Sequence, residues 1–395
     1  MIEGEQVFSL AFFLSAKRLK RSLLPVVFIG NLLGCSAKFL HRESSQDILK
    51  NEAFEQAIKV KEIAPNGGTA AAPKESRVAT LPGQYVRFPG PPPVPEAFAK
   101  ITGKTTVENG YAKPGVIVGK KTGKPEGNRG EAKTEGLSIA QPSAHEPSIE
   151  DGEGFLGRRP QVDPFRVGEK VVLEASYFGV VAGDIILEVR PFVEVNGRKS
   201  YRFTGTAQST SVFAMFYAVD DWFETFVDFE TLVPYSYALH VKESKQLRET
   251  RSIFNWDKMT ASFWDKRITS EGEVEEKKYD WDIPSYSQNV FTTAFYLRGF
   301  ALKPGKKVAF RLAHEKENMV VTGEILRRER IETPAGEFNT VVVKPKIELN
   351  GVFRPVGDIF IWLTDDDRKF IVRIESKIKI GKIVAVAKAV EPGRK

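Results

Sequence analysis

The sequence predicts a mainly β protein: an antiparallel β-barrel or strongly curved β-sheet with one short helix, preceded by a disordered tether. Three observations carry this. From about residue 165 almost to the end, hydrophobic residues recur with a period of two, which a strand with one buried face produces and a helix does not. Tight-turn residues punctuate that alternation. Before residue 165 the chain is rich in Pro, Gly, Lys and Glu and shows no sustained periodicity.

The strands follow in order. In 183–195, Ile185, Leu187, Val189, Val193 and Val195 share one face, with Asp184, Glu188, Arg190 and Glu194 mostly on the other. In 370–380, Phe370, Val372, Ile374, Ile378 and Ile380 alternate with Arg373, Glu375, Lys377 and Lys379. The same pattern marks 169–178, 199–208, 221–229, 235–244, 247–256, 260–267, 307–313, 319–332, 337–349, 357–363 and 382–390. Asn196-Gly197 and Asn350-Gly351 supply positive φ for hairpins, and Thr333-Pro334-Ala335-Gly336 suits a type I turn. One helix is expected over 287–299, where Val290, Phe291, Ala294, Phe295 and Leu297 form an apolar patch.

So many consecutive antiparallel strands must curl, split into two sheets or close. Closure removes exposed edges, and a wide barrel leaves interior space. An outer-membrane pore is a poor fit: it needs an apolar outer band on every strand, and Arg373, Glu375, Lys377 and Lys379 would then sit in lipid.

Charge is unevenly placed. The 395 residues carry a formal net charge of +7. Residues 1–150 hold 20 Lys+Arg against 15 Asp+Glu, which leaves 38 against 36 for the remainder. The β region therefore has no bulk positive charge with which to concentrate nucleic acid, and none is expected as a partner. A single cysteine excludes an internal disulfide framework, a thiolate zinc cluster and a CxxC redox centre.

That cysteine has an address. Lys17, Arg18, Lys20 and Arg21 precede the apolar run from Leu23 to Gly34, which is too short to cross a bilayer. The segment ends in Leu32-Leu33-Gly34-Cys35, which resembles a bacterial lipobox. The resemblance implies a lipoprotein signal peptide over 1–34, cleavage after Gly34 and acylation of Cys35. Serine at position 36 resembles sorting to the outer membrane, with the protein on its periplasmic face. Residues 1–16 are unusual ahead of such a signal; a misannotated N-terminal extension or a long leader accounts for them.

Residues 35–164 read as the lipidated cysteine and a disordered tether, with a helix expected at 45–63. The composition buries too little apolar surface to offset about 1–2 kcal/mol of backbone entropy per residue. The stretch from Gly115 to Thr122 imitates a phosphate-binding loop but has three residues between its glycines instead of four. It reads as coincidence in a Lys/Gly-rich linker.

The chemistry expected of the β region is binding. No GxSxG elbow or HExxH helix occurs, and neither a metal site nor a cofactor is indicated. His240 and His314 read as structural. Asp365-Asp366-Asp367 reads as a solvated turn, and Asp220, Asp221, Asp228 and Glu230 as strand-end polar residues. Aromatics concentrate between Phe213 and Tyr237, with Phe254, Trp256, Phe263 and Trp264 following. Core packing explains most of them; Phe216, Tyr217, Trp222, Phe226 and Trp264 are the candidates for lining a cavity.

Several stretches resemble one family. Gly168-Glu169-Lys170, Tyr177 to Gly183, Phe295 to Arg298, Ile331 to Phe338 and Trp362 to Arg368 are similar, in that order, to the envelope family catalogued as domain of unknown function 3108. The resemblance spans about 165–390. It implies an exported, β-rich domain and brings no reaction, ligand or catalytic residue. Lys369-Phe370 departs from the pattern where proline is frequent. The expectation is a non-catalytic, lipid-anchored periplasmic protein whose β domain binds a lipid, a glycan or an envelope protein. An outer-membrane assembly scaffold with a filled barrel, or a hydrolase with an unrecognised carboxylate pair, are the alternatives.

Overall fold

The computed structural model describes residues 51–63, 145–349, 352–354, 358–377 and 381–394. Cys35, the signal segment, the start of the expected helix, the phosphate-loop imitation and the Asn350-Gly351 turn lie outside them.

A six-residue helix α1 (Glu52–Ala57) and a short strand β1 (Val60–Glu62) come first. They replace the longer helix expected over 45–63; extended backbone at Ile58 ends α1. A small hairpin, β2 (Phe155–Leu156) and β3 (Arg159–Pro160), leads into the main sheet. Its first half is β4 (Glu169–Tyr177), β5 (Val180–Val195), β6 (Arg198–Ser209), β7 (Asp220–Asp228), β8 (Pro234–Lys242), β9 (Gln246–Asn255), β10 (Thr260–Thr269) and β11 (Val274–Asp282). After α2 (Thr292–Tyr296) and a 3-10 turn (Leu297–Gly299) come β12 (Lys307–His314), β13 (Glu317–Thr333) and β14 (Gly336–Leu349). β15 (Val352–Arg354), β16 (Ile359–Thr364), β17 (Ile371–Lys377) and β18 (Lys382–Pro392) complete it.

All of these strands except β2 and β3 form one antiparallel sheet in the order β11-β10-β9-β8-β7-β6-β5-β4-β18-β17-β16-β14-β13-β12, with β1 added on β5 and β15 on β14. The expected curled antiparallel sheet is therefore what the chain forms. The two ends, β11 and β12, are neighbours in sequence but not in the ladder. The connection between them crosses the gap: Gln288 forms a parallel bridge to Leu312, and Trp281 Nε1 donates to Asn318 Oδ1 at 3.2 Å. His314, at the end of β12, meets Phe263 of β10 edge-on with ring centroids 6.1 Å apart, so the sheet curls until its ends face each other.

Alternation decides what enters the interior. On β7, Phe223 and Val227 are buried in the core, whereas Trp222 is exposed and Glu224 and Phe226 are half-buried. Gly205 on β6 lies under Phe223; a Cβ there would stand 2.2 Å from its ring, so only glycine admits that close approach. A register shift between Arg190 and Val193 interrupts the β5 alternation. Phe192 then packs on the core, and Val193 and Val195 are buried where β1 pairs with β5.

Residues 145–164 are not a free tether. Phe155 and Phe165 belong to the core cluster, and Arg159 Nη2 donates to Asp163 Oδ2 at 2.7 Å while its Nη1 donates to Tyr201 Oη at 3.0 Å. This stretch closes the end of the barrel that carries the 196–197 and 256–259 turns.

Candidate apolar ligand cavity

The interior is divided by α2. Its start is set by Asn289, whose Oδ1 accepts the N–H groups of Phe291 and Thr292, both at 2.9 Å. Asn289 Nδ2 donates to Thr225 Oγ1 at 2.9 Å, and Gln288 Nε2 to the Leu232 carbonyl at 2.9 Å. Buried polar side chains thus fix the helix to β7 and to the turn after it. A short segment apolar on nearly every side is a helix meant for an interior, and the expected patch over 287–299 supplies it, although the α-helical part is only five residues long.

One face of α2 is filled. Phe291 stacks on Phe223 with centroids 4.3 Å apart, and Phe295 stacks on Phe203 at 4.2 Å. Phe223, Phe291 and Phe295 also border the hollow on the helix's other side. Thr293, Ala294 and Leu297 look onto that cavity of about 160 Å³, walled by Ile185 and Leu187 of β5 and by residues of β12, β13, β14, β16 and β17. Thr293 carries the single side-chain hydroxyl of that lining; no charged side chain contributes. Ile185, Leu187, Ile347, Ile361 and Ile374 remain partly accessible, and each points into the lumen.

The floor of the cavity is tied down by ionic groups. Tyr296, the residue before Leu297, donates to Glu150 Oε2 at 2.8 Å. The same oxygen takes Arg158 Nη1 at 2.7 Å and lies 2.7 Å from His145 Nε2. His145 stacks on Phe155 at 4.1 Å. Burial pushes the Tyr296 hydroxyl well above its ordinary range, so it stays a donor. Arg298, at the end of the plug, grips Glu169 at the start of β4.

The five aromatic candidates lie elsewhere, and none lines this cavity. Phe216 is 77% exposed. Tyr217 donates to Glu243 Oε2 at 2.8 Å. Trp222 stacks on His240 at 5.7 Å on the outer face, and Phe226 shares that face two pairs along. Trp264 is buried under Phe54 of α1, with its Nε1 donating to Glu276 Oε1 at 2.7 Å. Strand periodicity puts them there: 222 and 226 point opposite to 223, and 264 opposite to 263. The residues that do line the cavity are mostly aliphatic. Their signal was the helix patch itself, an apolar helix in a chain otherwise made of strands.

The polar clusters singled out from sequence serve turns. Asp228 accepts Arg198 Nε at 2.6 Å and Nη2 at 3.0 Å, the Thr231 N–H at 2.8 Å and the Tyr235 hydroxyl at 2.8 Å. Burial alone would raise its pKa; these donors outweigh that and hold it down at about 2. Asp366 Oδ1 accepts the N–H groups of Arg368 and Lys369, both at 2.9 Å, and so closes the 365–369 turn.

A curled antiparallel sheet with a helical plug and an apolar hollow defines a barrel-like β protein built around its interior. By sequence the chain belongs to the family described as protein of unknown function (DUF3108), whose model matches residues 173–388. Among solved structures it is similar to a beta-barrel-like protein of domain of unknown function DUF1849 from Brucella abortus, at 11% identity and TM-score 0.33, covering 57% of this chain and 97% of that one. It is also similar to a candidate exported protein with a YmcC-like fold from Bacteroides fragilis, at 12% identity and TM-score 0.23 over 58% and 97% of the two chains. A candidate lipoprotein from Parabacteroides distasonis matches at 11% identity and TM-score 0.23, over 58% and 99%. No curated protein matches the sequence.

Proposed function

We propose that the protein is a non-catalytic, lipid-anchored protein of the bacterial envelope that holds the end of an acyl chain in its barrel. The cavity beside α2 carries this reading: its lining offers one hydroxyl and no charge. A glycan has several hydroxyls per ring to satisfy and would bury them against aliphatic carbon at a cost of about 1–3 kcal/mol each. An apolar chain gains about 0.8 kcal/mol per buried methylene instead.

Size narrows the ligand. Apolar cavities of about 150 Å³ stay dry and accept small apolar molecules, whereas whole drug-sized ligands need roughly 300–1,000 Å³. A hollow of about 160 Å³ fits the terminal carbons of one chain, with the rest of the molecule outside. The lipobox reading of Cys35 supports the anchor and the periplasmic face of the outer membrane as its place.

Titration with an environment-sensitive fluorescent fatty acid tests the binding. Saturable uptake with one probe per chain, displaced by unlabelled fatty acid, is expected. Absence of saturation, or displacement by an oligosaccharide and not by fatty acid, overturns it.

A further inference from the structure

The end of the barrel opposite residues 145–164 carries an unusual surface. Phe178, Val180, Val181, Val212, Met215 and Phe216 are all exposed there, Phe216 at 77% and Phe178 at 66%. Six of the fourteen exposed large hydrophobics among the described residues thus fall in two turns. Those turns are adjacent: the Thr210 N–H donates to the Ala182 carbonyl at 2.9 Å, which joins the 210–217 loop to the start of β5. Singly scattered apolar residues are ordinary on a surface; a contiguous group marks an interaction site.

The group is held in place, not left loose. Within the loop, Ala214 N–H donates to the Thr210 carbonyl at 2.8 Å and Tyr217 N–H to the Phe213 carbonyl at 2.9 Å. Phe178 has φ 51° and is followed by Gly179 at φ 78°, the backbone of a tight hairpin turn that favours Asn or Gly. A bulky residue in that conformation is strained, and its ring packs against Gly381 while staying mostly in water. The ring also meets Tyr177 edge-on with centroids 4.5 Å apart, so local contacts hold it while two thirds of its surface stays in water.

Charge indicates what covers the patch. Lys377 and Lys382 are exposed at the β17–β18 turn, beside Gly381 and Phe178, and Lys245 is exposed next to the 210–217 loop. Two nearby acids have cationic partners, Asp184 at 3.1 Å from Lys388 and Glu375 at 3.6 Å from Lys382, while Asp220 accepts from Gln208 and Glu243 from Tyr217. Apolar tips including aromatics, rimmed by lysines, match the boundary between acyl chains and anionic headgroups. The cavity wall residues Ile185 and Leu187 begin three positions along β5 from Ala182, so the patch and the cavity wall share a strand.

The geometry points to this rim as a docking surface for an anionic phospholipid bilayer, with Phe178, Val212, Met215 and Phe216 entering the interface. The surface does not depend on whether the cavity is occupied, and its test needs no acyl ligand in the lumen.

The test exploits the single cysteine. In the full chain carrying Cys35→Ser, an environment-sensitive fluorophore is attached at Ser211→Cys on the rim or at Lys258→Cys on the opposite end. Vesicles of phosphatidylcholine and phosphatidylglycerol, three to one, are then added. A blue shift with at least a twofold rise in emission is expected at 211, quenched by lipids bearing a nitroxide on the chain, with no response at 258. Phe178→Asn with Phe216→Ser should reduce the response at 211 at least fivefold, while Phe216→Trp should keep it. Both altered residues are exposed, and the circular dichroism spectrum checks the fold. No change at 211, an equal change at 258, or full retention in the double variant overturns the proposal. A concentration-dependent shift without vesicles also overturns it, in favour of a second copy as the occupant.

Discussion

Arg298 holds both carboxylate oxygens of Glu169: Nη1 donates to Oε1 at 2.5 Å and Nη2 to Oε2 at 3.0 Å. Both residues are buried, and Arg368 Nη2 adds a third donor at 2.6 Å. The plug that floors the cavity is thereby pinned to the first strand of the main sheet.

Replacing Glu169 with Gln strands two guanidinium groups at that junction. Removing one partner of a buried pair costs about 3–5 kcal/mol, most of it the desolvation of the charge left behind. Urea unfolding of Glu169→Gln should show a loss of that order, and the acyl probe should bind more weakly because the floor loosens.

Ala294 faces the hollow side of α2. Enlarging it to Met fills part of the cavity with the variant's own methylenes. The fatty-acid probe should lose about tenfold in affinity, equivalent to about 1.4 kcal/mol, with thermal stability unchanged or raised. Undiminished probe affinity would show that the chain binds elsewhere.

Asp228 gives the protein an acid limb. Its pKa falls from 3.8 to about 2 in the folded state because the Arg198, Thr231 and Tyr235 donors outweigh burial. A depressed carboxyl contributes stability that is present above the unfolded value and lost as pH drops from 3.8 toward about 2. Asp228→Asn should remove about 1 kcal/mol at neutral pH, discounting for the half-exposed Arg198, and flatten that limb in denaturation measured at stepped acid pH.

Glu243 works in the opposite sense. Burial raises its pKa above the ordinary 4.5, against hydrogen bonds from Gln246 and Tyr217 and the positive charges of Arg267 and Arg248. The folded state then binds more protons than the unfolded one, so stability falls as pH climbs from 4.5 through the raised value. Glu243→Gln should lose less stability than the parent protein as pH is raised from 4.5, as read by urea midpoints at stepped pH. An unchanged difference would place the titration on another group.

The anchor has its own measurement. Cys35→Ser should lose incorporation of radiolabelled fatty acid and, where the apolar leader is not itself retained, leave the membrane fraction. Continued labelling of the serine variant would refute acylation at that position.

Period-two alternation made most of the sheet legible, because inward and outward residues on β4 to β10 differ sharply in polarity. β11 lacks that contrast. Val274-Glu275-Glu276-Lys277-Lys278 is exposed at the sheet's edge, and only Tyr279 and Trp281 pack on the core. The 145–164 stretch carries no such signal because its pairing is two residues long and its anchors are distant side chains, such as Tyr201 of β6 and Tyr296 of α2. Aromatic density does not mark the lining residues. Counting rings ignores which face each occupies, and Glu224 between Trp222 and Phe226 marks theirs as the outer one. The hollow itself comes from Ile185 and Leu187 of β5 and from Ile361 and Ile374, paired across β16 and β17, two sites far apart in sequence that no local pattern connects.

The parallel bridge from Gln288 to Leu312 makes the sheet resemble a bracelet fastened by a clasp. A fully zipped hoop has a circumference fixed by strand number and stagger. Here the gap is spanned by residues 283–291 and by Asn318, which bonds Trp281 and the Asp282 carbonyl, while thirteen ladders make up the rest of the circuit. The bore is therefore set at this seam as well as by the ladders.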